Sequence, residues 1–124
     1  MAAPTVSKRL PIPVFMTGDA SVNTLTLATG VTADSTSTAV AAPPGIKTFW
    51  GEVSGTGAVT TTIAVYGSRT STAANGVLLA TITLSGTTKA TDAAAASTAA
   101  YPYYYVVFTN ITGTGATALV QVFY

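Results

Sequence analysis

Residues that could carry out chemistry are few in this chain and lie far apart. The chain contains no histidine and no cysteine. A glycosidase needs two carboxylates on either side of one bond, but each acid here lies in a predicted turn or beside small residues, where carboxylates are usually solvated. The acids are Asp19, Asp34, Glu52 and Asp92. Without histidine, the usual general base near neutral pH is missing. The sequence therefore predicts no catalytic site.

Other site chemistries also lack the residues that they need. A Ser–Lys dyad could use Lys47 or Lys89, but no motif surrounds either residue. Metal ligands would have to be oxygen atoms, and no loop has the acidic spacing of a calcium site. Each Gly-Thr-Gly segment is followed by a predicted strand, whereas a phosphate-binding loop needs a helix after it. We expect no cofactor and no metal.

Charge is scarce across the 124 residues. Charged residues make up 7% of the chain, and the formal net charge is +1, whereas an average soluble domain is about 25% charged. A surface of threonine hydroxyls and alanine methyls with so little charge favours association. We therefore expect a homo-oligomer.

Two classes of partner are excluded by the same composition. The five basic residues are scattered, so the chain lacks the basic patch of a nucleic-acid-binding protein. No apolar run approaches the roughly 20 residues that span a bilayer. Pro11 and Pro13 interrupt the segment after Lys8 and Arg9, which is unlike a signal peptide. We expect a protein that is made in the cytoplasm and is used there, or is assembled there into something that later leaves.

Residues 1–20 differ from the rest of the chain. They hold three of the six prolines, and proline favours extended backbone. We predict an N-terminal arm that reaches about 50 Å and places apolar side chains on a neighbouring subunit. These side chains are Leu10, Ile12, Val14 and Phe15. The alternative is a frayed terminus or a first strand.

Residues 21–124 have the pattern of an all-β domain. Threonine and valine are abundant, and both favour strands. Turn residues separate the predicted strands, which are Thr24–Thr29, Ser35–Val40, Ile46–Val53, Thr60–Gly67, Val77–Leu84, Tyr103–Ile111 and Thr117–Phe123. The pattern predicts a single antiparallel β-sandwich, jelly-roll or Ig-like, of about six to eight strands. Ser85–Ala100 has no strand pattern and is predicted to be a loop, in which Asp92 can cap a short helical turn.

An internal repeat supports this reading. Trp50–Tyr66 and Phe108–Tyr124 share an aromatic residue, a Gly-Thr-Gly-Ala segment and a following strand that ends in tyrosine. Glycine supplies the positive φ angles of tight turns. We therefore predict two equivalent hairpins, with Gly55–Gly57 and Gly113–Gly115 at their tips.

The segment "YPYYYVVF", Tyr101 to Phe108, is apolar on both faces of a predicted strand. Such a strand is covered on both sides. One cover is the core of the domain, and the other can be a partner subunit, because tyrosine suits interfaces. The predicted interface residues are Tyr101, Tyr103, Tyr104 and Tyr105. Two alternatives are a central strand whose hydroxyls reach solvent and a platform on which sugars stack.

The chain resembles small accessory structural proteins of tailed-phage virions, namely head decoration (cement) proteins and related tail or collar components. The phrases that carry the resemblance are "FWGEVSGTGAV", "NGVLLATITLSGT" and "ITGTGATALVQVFY", between Phe49 and Tyr124. The resemblance implies a non-enzymatic capsid decoration protein in the virion. Its partner would be the major capsid protein or another virion protein, and a trimer is favoured. The alternatives are a tail, collar or fibre component and a carbohydrate-binding or adhesive β-sandwich.

Overall fold

A computed structural model of the protein describes residues 23–43, 45–96 and 101–124. These residues form one six-stranded antiparallel sheet, so the all-β prediction is confirmed. The strands are β1 Thr24–Val31, β2 Ser35–Thr36, β3 Val40–Ala41, β4 Lys47–Ser68, β5 Val77–Ala96 and β6 Tyr103–Phe123. No helix of the described ranges is long and apolar enough to cross a membrane. The predicted arm, residues 1–20, lies outside the described residues.

Three long strands, β4, β5 and β6, make up most of the sheet. The order is β1-β6-β4-β5, and the short strands β2 and β3 also pair with β6. Strand β4 has 22 residues and is hydrogen-bonded to β5 along one side and to β6 along the other. Within the described part of the chain, β5 therefore forms one edge of the sheet, while β1, β2 and β3 follow one another along the opposite edge.

The two Gly-Thr-Gly segments are bends inside continuous strands, so the prediction of hairpin tips is wrong. The β4 register shifts at residues 54–58 against β5 and at 54–62 against β6. Gly57, Gly113 and Gly115 have positive φ there, as does Thr88 of β5. Thr56 pairs with Thr114, so the bends lie side by side. Bulges of this kind bend a strand and increase its twist.

The two repeated segments pair with each other. Trp50 pairs with Gln121, and the residues at the equivalent repeat positions, Phe108 and Ile63, also pair. The repeat thus gives a local two-fold arrangement around the bend. The sequence similarity was real, but Gly-Thr-Gly meets the backbone demands of a bulge as well as those of a turn.

The core lies on one face of the sheet. Alternate residues of β4 are buried on both sides of its bend, including Phe49, Val53, Val59, Ile63 and Val65. They pack with apolar side chains of the other strands, which include Leu27, Ile82, Leu84, Tyr104, Val106, Phe108, Val120 and Val122. Burial therefore alternates between successive residues of β4 on both sides of its bend, and of β6 from Ala116 to Val122.

Contacts of Gly51 show how sharply β4 bends. A Cβ atom added to Gly51 would lie 2.8 Å from Cδ1 of Ile63 and 3.3 Å from Cγ2 of Ile82. Twelve residues of straight strand would instead separate positions 51 and 63 by about 40 Å. The two halves of β4 therefore approach each other through their buried faces.

Strand β5 continues through the segment that was predicted to be a loop. Residues Ser54 to Lys47 of β4 pair with Lys89 to Ala96, so hydrogen bonding to a neighbour overrides the low strand propensity of alanine. Asp92 caps no helical turn, and its carboxylate accepts the N–H of Ala93 at 2.8 Å within the strand.

Candidate assembly surface

The sheet edge formed by β5 is the most unusual surface of the described residues. Its first half, Val77–Ser85, contains no charged residue and, among the residues that the structure describes, pairs with β4 alone. We call this segment the open edge. Unpaired strand edges are usually short, charged or covered, because they template pairing with another chain. The second half of β5 carries Lys89 and Asp92, so it has the charge that the open edge lacks.

Exposed apolar side chains lie at the start of the open edge. Val77 is 52% exposed and Leu78 is 54% exposed, and the outward residues Thr81, Thr83 and Ser85 are also exposed. Opposite this face, Ile82 and Leu84 point into the core. The open edge therefore presents backbone hydrogen-bonding groups beside an apolar end.

The predicted tyrosine residues do not share one environment. Tyr104 is fully buried in the core and Tyr105 is 4% exposed, while Tyr101 and Tyr103 are partly buried. The Tyr104 hydroxyl accepts the N–H of Tyr101 at 3.2 Å, and the two rings meet edge to face with centroids 6.4 Å apart. Lys47 Nζ lies 5.1 Å from the centre of the Tyr104 ring.

Tyr105 is covered by its own chain. Its ring stacks on Tyr66 with centroids 5.1 Å apart, and its hydroxyl accepts the N–H of Gly76 at 2.9 Å. The end of β4 and the connection to β5 thus cover the Tyr105 side chain. The covering segment could not be assigned from the sequence, because Gly76 is distant along the chain and has no side chain to reveal the contact.

The other predicted interface residues, Leu10, Ile12, Val14 and Phe15, lie outside the described residues. Sequence reasoning missed the open edge because Ser85–Ala100 was assigned to a loop. The predicted strand, Val77–Leu84, is shorter than β5. Its position at the border of the sheet depends on pairing between residues that are far apart in the sequence. The absence of charge between Val77 and Ser85 was the available signal.

A cleft lies beside the open edge. It has a volume of about 390 Å³ and is lined by Gly67, Ser68, Arg69, Thr70, Thr72, Ala74, Asn75, Val77 and Tyr101. Asn75 has a positive φ of 58° in the wall of the cleft. The lining combines one guanidinium, several hydroxyls and an aromatic ring, and it contains no carboxylate.

The acidic residues of the described ranges take part in structural contacts. Glu52 forms an ion pair with Lys89 at 3.3 Å. The two carboxylate oxygens of Asp34 accept the N–H groups of Asn110 and Ile111, each at 3.0 Å. The hydrogen bond from Ile111 and then that from Asn110 lower the pKa of Asp34 below its ordinary value of 3.8. Asp34 therefore fastens the end of the loop before β2 to β6.

No group of three metal-binding side chains is brought together within the described ranges. Lys47, one candidate for a Ser–Lys dyad, is 1% exposed and donates to the carbonyl of Gly45 at 3.0 Å. Lys89 is engaged with Glu52. The groups that the described open edge and cleft present are backbone groups, hydroxyls, one guanidinium and apolar side chains.

No protein-family model matches this chain, and no curated protein matches it.

Proposed function

We propose that this chain is a non-enzymatic structural protein of a tailed-phage virion, most specifically a decoration or cement protein of the capsid. The observation that carries the proposal is the uncharged open edge, Val77–Ser85. A long edge of this kind is an aggregation hazard in a free monomer and a means of attachment in an assembly. The chain's low overall charge favours the same conclusion, because so neutral a surface is best kept soluble by contact with other protein.

The proposed fold is a two-layer sandwich made from one sheet. The bend near Gly55 brings the buried faces of the two halves of β4 together, as the proximity of Gly51 to Ile63 indicates. Such a layer pair buries an apolar core between its inner faces. It leaves β5 along one border and β1 along the other, so a single domain has two edges with which to meet neighbours.

The proposed action is stabilisation of an assembled shell. A protein that binds the mature shell, and not its dissociated subunits, shifts the equilibrium towards the shell by mass action. Many copies on one lattice add their effects, since each bound copy lies beside further binding sites. Such a protein needs complementary surfaces and no reactive group.

Immunogold electron microscopy of purified virions tests this proposal. Antibodies against the recombinant protein would be applied to particles purified from cultures that carry the gene. Gold particles on the heads are expected. Labelling confined to the tail or collar would favour the tail component over the decoration protein. Particles that carry no label, beside strong labelling of the free protein, would contradict both.

A carbohydrate-binding module is a second candidate because of the cleft. Tyr101 and Asn75 both line it, and a partly exposed ring beside an amide is a usual arrangement for sugar binding. Burial of Tyr104 and Tyr105 removes two of the rings that a stacking platform would use. Binding of the isolated protein to a glycan array, lost in Tyr101→Ala, would favour this candidate, whereas an array without signal would exclude it.

A further inference from the structure

We propose that the open edge of one copy is completed by residues 10–15 of a second copy, which add to it as an extra strand. This inference rests on the proposed function in one respect, namely that copies of the chain associate. The two segments that join the copies are the open edge and residues 10–15.

The open edge defines what a partner strand must offer. It needs backbone donors and acceptors along about 30 Å for nine residues, and apolar side chains beside Ile82, Leu84 and the exposed Leu78. It needs no charge, since none lies between Val77 and Ser85. A short, uncharged, alternating apolar segment fits these demands.

Residues 10–15, with the sequence "LPIPVF", are uncharged and carry apolar side chains, and they are long enough to pair along about 20 Å of the open edge. In a strand, successive residues direct their N–H and C=O groups to opposite sides. Leu10, Ile12 and Val14 would direct theirs to one side, and Pro11 and Pro13 would occupy the other side, where no N–H is needed. Proline is tolerated in strands when it faces away from the ladder. The segment can therefore pair along one side and prevent pairing along the other.

Side-chain directions agree with the same register. In such an added strand, Leu10, Ile12 and Val14 would share one face, because side chains alternate along a strand. Placed towards the core face of β5, they extend the apolar row of Ile82 and Leu84. The prolines then lie on the outer face, beside the exposed Thr81 and Thr83.

The N-terminal segment leaves the sheet at the border opposite the open edge, where it can be donated to a neighbouring copy. Asn23 and Tyr124 exchange two backbone hydrogen bonds of 3.0 Å at the border formed by β1, and β5 forms the opposite border. When two copies lie side by side, the β1 border of one faces the β5 border of the next. The contact is head-to-tail, and it gives a closed ring when the rotation between copies closes.

Paired proline substitutions in the full chain test the proposal. Val14→Pro removes an N–H from the pairing side, whereas Phe15→Pro adds a proline to the side that already carries Pro11 and Pro13. We expect Val14→Pro to weaken self-association, measured by sedimentation velocity, by about tenfold or more, and Phe15→Pro to leave it unchanged. Equal effects of the two substitutions would overturn the proposal, as would a wild-type chain that stays monomeric.

Disulfide trapping identifies the donor copy, because the chain has no cysteine of its own. A tagged Pro13→Cys chain would be mixed with untagged Thr81→Cys or Thr83→Cys chains. A cross-link between tagged and untagged chains is the expected result. Cross-linking within a chain that carries Pro13→Cys and Thr83→Cys together, without cross-links between chains, would overturn the assignment to a second copy.

The outcomes separate this inference from the proposed function. Virions labelled on their heads, together with a Val14→Pro chain that associates normally, would contradict the strand addition alone. Unlabelled virions, together with a Val14-dependent association, would contradict the virion proposal and leave the strand addition supported.

Discussion

Gly51→Ala places a methyl group between the two halves of β4. The new Cβ would lie 2.8 Å from Cδ1 of Ile63, which is closer than carbon atoms normally approach, and Ile63 is fully buried. Overpacking of this kind costs about 1–3 kcal/mol, and the higher strand stability of alanine returns roughly 0.5–1 kcal/mol. We expect a net loss of about 1 kcal/mol in the free energy of unfolding.

Ile63→Val removes Cδ1 of Ile63, the atom that lies nearest to the new methyl group. Alone it should cost about 0.5–1.5 kcal/mol. In the double variant Gly51→Ala/Ile63→Val, the added methyl occupies space that the valine has vacated. The two losses should therefore not add, and we expect the double variant to be about 1 kcal/mol more stable than additivity predicts.

Urea unfolding of the four proteins, at one fixed protein concentration, measures this coupling. The concentration is fixed because association adds to apparent stability. Gly57→Ala is the control, since its added Cβ would meet nothing within 4 Å. Alanine is strained at a φ of 74°, and we expect the resulting loss in free energy of unfolding to add to the loss caused by Ile63→Val. Strict additivity for Gly51→Ala with Ile63→Val would refute the contact and, with it, the fold-back of β4.

Three further predictions concern single side chains. Tyr105→Phe keeps the ring stack on Tyr66 but leaves the N–H of Gly76 without its acceptor, so we expect a loss of about 0.5–1.5 kcal/mol in urea unfolding. Asp34→Asn should remove part of the acid sensitivity of the protein. The pKa of Asp34 is lowered in the folded protein, so the ionised carboxylate stabilises the fold above the ordinary carboxyl pKa. This stabilisation is lost as the pH falls through the lower pKa of the folded state. The unfolding midpoints of the wild-type protein and of Asp34→Asn, measured from neutral pH to below 3.8, should converge at the lowest pH values. A difference between the two midpoints that stays constant with pH would contradict this prediction. Lys47→Met exchanges a buried ammonium for an apolar chain of similar length, and we expect unchanged or higher thermal stability; a large fall in the melting temperature would show that the charge is required.

Much of the strand content could be predicted from the sequence, because abundant threonine and valine favour strands. The lengths of the strands could not be predicted from the sequence. Gly113 and Gly115 permit a turn and a bulge equally well, and the pairing of Thr56 with Thr114, which decides between them, depends on residues far apart in the chain.

Environments of the candidate site residues were predictable only in part. The two-sided apolar pattern around Tyr105 indicated a covered side chain, and the sequence could not show that Tyr66 and Gly76 contact it. The open edge was missed because the alanine-rich end of β5 has low strand propensity, and pairing with β4 overrides that propensity.

Hydrogen–deuterium exchange of the open edge tests most directly whether assembly covers it. In the single chain, alternate N–H groups of Val77–Ser85 face β4 and the others face outwards, so only part of this segment should be protected. Exchange of the full chain would be followed by mass spectrometry at low and at high protein concentration. We predict that peptides from Val77–Ser85 gain protection at high concentration. Unchanged exchange in these peptides, in a sample whose mass shows association, would contradict the account.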